Sequence, residues 1–73
     1  MTQNEKILRH LEEHGTITPL DALSEYGIMR LASRISDLKR AGVPITKTIV
    51  KAKNRFGEPV RYASYALGSG GNG

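Results

Sequence analysis

The fold is decided by residues 16–42, which read TITPLDALSEYGIMRLASRISDLKRAG. Thr18 is an N-cap residue, Pro19 suits the first position of a helix, and Asp21 places negative charge at the positive end of the helix dipole. A helix is therefore predicted to begin directly after Thr18.

Two helices are predicted within this stretch. The first is short, carries Leu20 and Leu23 on its inward face, and ends at Tyr26-Gly27. The second covers residues 28–41, because its apolar residues recur at intervals of three, four and three and so share one helical face. That face consists of Ile28, Leu31, Ile35 and Leu38.

The residues before this stretch predict another helix, over residues 4–14, which ends at Gly15. Its apolar face consists of Ile7, Leu8 and Leu11. His10 and His14 are spaced so that they could hold a metal, but no third ligand is close in sequence. A solvated helix face is therefore the preferred interpretation of the two histidines.

The periodicity changes after Gly42 and Pro44, which end the preceding helix. Residues 45–53 are rich in β-branched side chains, and residues 60–67 include two tyrosines. Both segments are predicted to be strands. Residues 54–59 form a turn-prone connection, so the two strands are expected to make an antiparallel hairpin.

The predicted order is helix, short link, helix, turn, helix and hairpin. This is the plan of an α+β winged helix-turn-helix domain, with three helices followed by a β-hairpin wing. Thr16-Ile17 is available to pair with the hairpin as a short third strand. An isolated hairpin is unstable, so the wing must pack on the helices. The domain is predicted to cover residues 1–67, and residues 68–73 have the composition of a flexible Gly/Ser tail.

Length and composition exclude several classes of protein. The 73 residues suffice for one domain, and the absence of cysteine excludes a disulfide scaffold or a zinc-cysteine scaffold. The 38% hydrophobic content is ordinary for a globular domain, and no apolar run approaches the roughly 20 residues of a membrane span. A cytoplasmic protein without a membrane association is therefore expected.

Charge is distributed unevenly along the chain. Residues 1–27 carry two basic and five acidic side chains, a net charge of −3, whereas residues 28–73 carry nine basic and two acidic ones, a net charge of +7. This asymmetry favours a C-terminal half that faces a polyanion and an N-terminal half that faces solvent.

Three successive motifs resemble a known family. Residues 18–23 fit T-P-x-x-A-L, residues 26–28 fit Y/L-G-I, and residues 30–42 fit R-L-A-x-R-I-x-D-L-x-x-x-G. At this spacing the chain resembles the small helix-turn-helix proteins of bacteriophages and prophages, over about residues 4–67. The resemblance implies a winged-helix fold, binding to double-stranded DNA and a bacterial host cell.

The candidate DNA contacts on the third helix are Arg30, Ser33, Arg34, Asp37 and Arg40. Arg30 is the best placed for a guanine edge, whereas Ser33 could bond a base or a phosphate and Arg40 is better placed for phosphate. Asp37 could accept a bond from cytosine, but its spacing favours an ion pair that orients Arg34. The stem of Arg34 could also cover part of the core.

The candidate contacts on the wing are Lys51, Lys53, Arg55 and Arg61. Such side chains bind phosphates or enter a narrow minor groove, and lysines on this strand could also protect an exposed sheet edge. Phe56, near the wing tip, could either wedge into a nucleic acid or fold back onto the sheet.

A non-enzymatic DNA-binding protein is the preferred functional interpretation, as a transcriptional regulator or a recombination-accessory factor. The sequence contains no nucleophile-base pair, phosphate-binding glycine loop or metal cluster, so neither a cofactor nor a small-molecule ligand is expected. The alternative is a winged-helix interaction module that binds an acidic protein. A homodimer is left open. A protein with one recognition helix gains affinity by pairing, usually through the first helix, but the apolar residues of that helix are all needed for the monomer core.

Overall fold

The computed structural model describes residues 1–68. The chain forms three helices and a three-stranded sheet. They are α1 (Gln3–His14), β1 (Thr16–Ile17), α2 (Pro19–Tyr26), α3 (Leu31–Arg40), β2 (Ile45–Lys53) and β3 (Pro59–Leu67). The sheet is antiparallel with the strand order β1-β3-β2. The predicted α+β architecture is confirmed, and it is that of a winged helix-turn-helix.

Capping boxes start the first two helices. Before α1, the Thr2 hydroxyl accepts a hydrogen bond from the Glu5 amide, and the Glu5 carboxylate accepts one from the Thr2 amide. Hydrogen bonding of the Glu5 carboxylate by the backbone amide and the side chain of Thr2 lowers the pKa of Glu5, because it favours the charged form. Thr18 and Asp21 make the same reciprocal pair before α2, so the predicted N-cap role of Thr18 is confirmed.

The inward face of α2 differs from the prediction. Leu20 is 72% exposed and Leu23 is 48% exposed, so the expectation that both face inward is wrong. The buried side of this eight-residue helix is formed by Ala22, with Tyr26 packed partly against the core. Ala22 and Tyr26 lie one turn apart on the same face, and Tyr26 is held there by a partner on α1.

That partner is His10, which corrects the prediction of a solvated histidine face. His10 is buried, and its Nδ1 lies 2.8 Å from the Tyr26 hydroxyl. The exposed His14 ring packs on it, with the ring centroids 4.5 Å apart. A buried polar ring needs a hydrogen-bond partner, and here the partner comes from another helix.

The third helix begins three residues later than predicted and ends at Arg40 rather than at residue 41. Gly27 adopts a left-handed conformation (φ 69°), and the Ile28 amide then donates to the Ala22 carbonyl. Residues 28–30 are therefore part of the turn, although Ile28 is buried as predicted. The apolar stripe of α3 is confirmed: Leu31, Ile35 and Leu38 are all buried.

The hairpin and the third strand are confirmed. β2 has its predicted bounds, whereas β3 begins one residue earlier, at Pro59, which shortens the connection to residues 54–58. β1 pairs with the edge of β3 that faces away from β2, and Ile17 lies opposite Tyr65. The Gly68 amide donates to the Pro44 carbonyl, and the remainder of the predicted tail, residues 69–73, lies outside the described part of the chain.

The core lies between the helices and the base of the sheet. Its fully buried large side chains are Ile7, Leu11 and Ile17. Leu8, which was expected beside Ile7 and Leu11, is only half-buried. The apolar stripe of α1 is thus used mainly inside the monomer. Across residues 1–68, no helix has the length and apolar content needed to cross a bilayer.

Candidate nucleic-acid interface

The solvent-facing side of α3 carries the side chains expected to contact DNA. Arg30 is exposed and occupies the N-cap position, where its backbone (φ −121°, ψ 59°) is not helical. It therefore belongs to the turn rather than to the helix body. The Arg30 side chain does not cap the amides of the first turn, which leaves them available to bond solvent or an anion.

Asp37 connects two of the predicted arginines. Its carboxylate oxygens lie 3.2 Å from a guanidinium nitrogen of Arg34 and 2.7 Å from one of Arg40. The predicted pair of Asp37 with Arg34 is therefore confirmed, and Arg40 joins it from the next turn. The Asp37 carboxylate thus orients the guanidinium groups of both arginines, and the cluster of Arg34, Asp37 and Arg40 retains a net positive charge.

Of the remaining polar and small residues of α3, the sequence patterns indicated Ser33 but not Ala32, Ser36 or Lys39. Ser33 is half-buried, whereas Ala32, Ser36 and Lys39 are exposed. Lys39 forms no ion pair within residues 1–68. Its charge is visible in the sequence, but the helical wheel places it at the edge of the polar face rather than at its centre.

The wing projects from the core as a ribbon of exposed cations. Lys51, Lys53, Arg55 and Arg61 are all exposed, and within the described residues none of the four forms an ion pair. Lys51 and Arg61 lie directly opposite each other in the strand register. Like charges in that position repel each other, so an external anion would stabilise this pair.

A network of hydrogen bonds centred on Asn54 holds the wing tip. Its side-chain oxygen accepts from the amides of Phe56 (2.9 Å) and Glu58 (3.0 Å), and its side-chain nitrogen donates to the Glu58 carboxylate (2.9 Å). Gly57, with φ 78°, closes the turn. Phe56 is 77% exposed, so of the two alternatives for this residue the structure excludes folding back onto the sheet.

An apolar cleft lies beside Arg30. It is lined by Pro19, Leu20, Leu23, Ile28 and Met29. Met29 is 84% exposed and precedes Arg30 directly in the turn. This cleft follows from the outward orientation of the two α2 leucines and could not be foreseen while they were expected to be in the core.

The helix and the wing are adjacent because α3 packs against β2. The structure thus brings the Arg34–Asp37–Arg40 cluster and the cationic ribbon onto neighbouring elements. Acidic side chains are concentrated elsewhere, on α1 and α2. Within residues 1–68, no group of three or more His, Asp or Glu side chains is placed to hold a metal ion.

Comparison with known proteins identifies the family. The pattern of the winged helix-turn-helix domain matches residues 2–70, which is almost the whole chain. No curated protein gives a significant match. The family match agrees with the order of elements, the turn at Gly27 and the three-stranded sheet. The chain therefore belongs to the winged helix-turn-helix domain family.

Proposed function

We propose that this protein binds double-stranded DNA, with Arg30 and the exposed face of α3 at the major groove and the wing along the sugar-phosphate backbone. Winged helix-turn-helix domains are typically non-enzymatic DNA-binding domains. The proposed major-groove contacts are Arg30, Ser33, Arg34, Asp37 and Arg40, and the proposed wing contacts are Lys51, Lys53, Arg55 and Arg61.

The observation that carries the proposal is the pairing of Lys51 with Arg61. Two cations face each other on exposed strands, and no carboxylate of residues 1–68 pairs with either of them. A phosphate group would turn this repulsion into attraction, because one anion can be shared by both side chains. The net charge of +4 on the whole chain supports a polyanionic partner.

The role in the cell is proposed from the family resemblance alone. A phage- or prophage-encoded transcriptional regulator, or an accessory factor in recombination, would use a single small DNA-binding domain in this way. Either role requires DNA binding, which is therefore the property to measure first.

The test is a fluorescence-anisotropy titration of random-sequence duplex DNA at about 50 and 200 mM salt. We expect binding that weakens steeply with salt. The double variant Lys51→Gln/Arg61→Gln should reduce the slope of log K against log salt by up to about 1.8, or about 0.9 for each phosphate that the protein no longer neutralises. Arg9→Gln, on α1 and outside the proposed contacts, removes the same kind of charge and should leave the slope unchanged.

The alternative function is a protein-interaction module that binds an acidic partner, and the apolar cleft beside Arg30 is the observation that favours it. Protein interfaces combine apolar side chains with arginine, and the apolar cleft together with the adjacent Arg30 has this composition. Absence of DNA binding at the lower salt would overturn the DNA proposal and leave this alternative.

A further inference from the structure

The wing tip presents an aromatic ring to solvent on a braced support. Phe56 is 77% exposed, yet the backbone on both sides of it is fixed by the bonds to Asn54. The backbone amide of Asn54 also donates to the backbone carbonyl of Glu58, and the backbone amide of Gly57 donates to the backbone carbonyl of Asn54. The ring is therefore held at the apex rather than carried on a loose loop.

The support is long enough to keep this ring away from the core. Tyr65, opposite Lys47, is the last buried residue of β3 on the way to the tip. Two residues nearer the tip, Ala63, opposite Ile49, still packs partly against the core. From there to Lys53 the ribbon continues for four residues, or about 13 Å at about 3.3 Å per residue. Every residue from Lys51 to Tyr62 is exposed. Phe56 consequently has no role in the packing of the domain.

The charge around the ring matches a nucleic acid. Residues 51–61 carry four basic side chains and one acidic one, Glu58. The Glu58 carboxylate is drawn to the Asn54 amide, and the Arg55 guanidinium lies 5.4 Å from the centre of the Phe56 ring. The flat apolar ring of Phe56 thus lies beside the guanidinium of Arg55, and arginine favours narrow A/T-rich minor grooves.

We propose that Phe56 is a wedge that enters the minor groove and unstacks one base step, so that the protein bends the duplex it binds. This inference rests on the DNA binding proposed above. A minor groove about 6 Å wide does not admit a ribbon whose strands alone are about 4.8 Å apart, but it admits a single side chain at the apex. Inserted apolar side chains kink DNA by about 20–90° towards the major groove.

The proposal predicts a preference among DNA sequences that is independent of base-edge contacts. Pyrimidine-purine steps such as TA unstack easily, whereas A-tracts are stiff. Arg55 favours the minor groove of A/T-rich DNA, whether that DNA contains a TA step or an uninterrupted A-tract. The preferred site of the wedge is therefore a TA step in an A/T-rich segment rather than an uninterrupted A-tract.

The experiment uses two A/T-rich duplexes of equal length, one with a central TA step and one with an A-tract, each labelled at both ends for resonance energy transfer. Binding is followed by anisotropy in the same samples. In a parallel duplex, 2-aminopurine replaces the adenine of the TA step, so that its fluorescence rises when the step unstacks. We compare the wild-type chain with Phe56→Ala and with Phe56→Leu, which keeps an apolar wedge.

We expect wild-type protein and Phe56→Leu to raise both energy transfer and 2-aminopurine fluorescence on the TA duplex. Phe56→Ala should lose both signals and bind this duplex about 5- to 150-fold more weakly, the range expected for loss of one aromatic-base stack. Its circular dichroism and thermal midpoint should match those of the wild type, because the ring is exposed.

Two results would overturn the inference in distinguishable ways. If the wild-type chain binds without bending, or if Phe56→Ala bends DNA as the wild type does, the wedge is wrong and DNA binding stands. If the wild-type chain binds neither duplex at about 50 mM salt, the proposed function fails and the wedge fails with it.

Discussion

The Tyr26 hydroxyl lies 2.8 Å from Nδ1 of His10, and this bond joins α2 to α1 at the margin of the core. The two rings meet edge to face, with centroids 5.5 Å apart. The contact fixes the rotation of α2 about its axis. It therefore determines which side chains of α2 reach the apolar cleft beside Arg30.

Removal of the Tyr26 hydroxyl should destabilise the domain. Tyr26→Phe leaves a buried nitrogen of His10 without its partner, which costs about 1–3 kcal/mol in the free energy of unfolding. Urea denaturation measures the change. Tyr62→Phe is the control, because Tyr62 is 42% exposed and its hydroxyl should contribute less than about 0.5 kcal/mol. Equal losses in the two variants would contradict a special role for the His10 contact.

Stability should also fall at alkaline pH because of Tyr26. Burial raises the pKa of this tyrosine above its ordinary value of 10.0, and the nearby carboxylates of Glu25 and Glu13 add to the effect. Because the folded pKa lies above the unfolded one, the contribution is fully present below about pH 10 and is lost as pH rises through the folded pKa. Thermal midpoints measured between about pH 8 and 11 should decline less in Tyr26→Phe than in the wild type.

Replacement of Asp37 by asparagine should loosen the discrimination among DNA sequences. Asp37→Asn frees Arg34 and Arg40 from a shared carboxylate and removes a negative charge from the proposed interface. Binding to random DNA should become tighter, and the salt slope should steepen by up to about 0.9 for each additional phosphate that the freed arginines neutralise. The free energy of unfolding should change by about 1 kcal/mol or less, because the ion pairs of Asp37 lie at the surface and are partly accessible to solvent.

The control for this change is Glu12→Gln, which removes one exposed carboxylate from α1. It alters net charge by the same amount away from α3 and should leave the slope unchanged. If instead Asp37→Asn weakens binding at one C·G pair alone, the residue contacts a cytosine directly.

Arg30 should contribute mainly to binding of a specific DNA site, whereas Lys53 should contribute equally to binding of any DNA sequence. Arg30→Ala should cost about 1–3 kcal/mol on a site selected from a random library and much less on random DNA. Lys53→Ala should weaken both alike and reduce the salt slope by about 0.9. Competition titrations with the selected and random duplexes measure both effects. Equal losses on every DNA for Arg30→Ala would contradict its assignment to base recognition.

The sequence predicted most of the fold because the deciding signals are local. The Thr18 cap and the run of β-branched residues after Pro44 act within a few positions, so they could be interpreted without knowledge of the packing. The bounds of α2 and β2 were accordingly predicted correctly. Arg30 was placed in a helix because Ile28 fits the apolar period, although the turn bond from Ile28 to Ala22 keeps both residues outside it.

The errors concern side chains whose positions depend on distant partners. Helical period alone could not show that Leu20 and Leu23 face outward, since this depends on Ala22 and Tyr26 taking the inward face of α2. In the candidate site, the cations and the Asp37 pair were visible in the sequence. Phe56 was placed near the wing tip, but only the structure decides between its two alternatives, because the local hydrogen bonds around Asn54 leave the ring exposed.

The strand order has a consequence for how the domain is made. β3 is the last element of the described chain, yet it lies in the middle of the sheet, where Thr16 pairs with Ala66 and Lys53 with Pro59. During synthesis, neither β1 nor β2 has a sheet neighbour until β3 has left the ribosome. The β2–β3 hairpin is a local pairing, but β1 and β3 are about fifty residues apart in sequence, so their pairing forms late and slows the search for the native state. The helices can form early, but the domain gains its cooperative stability only with the final strand.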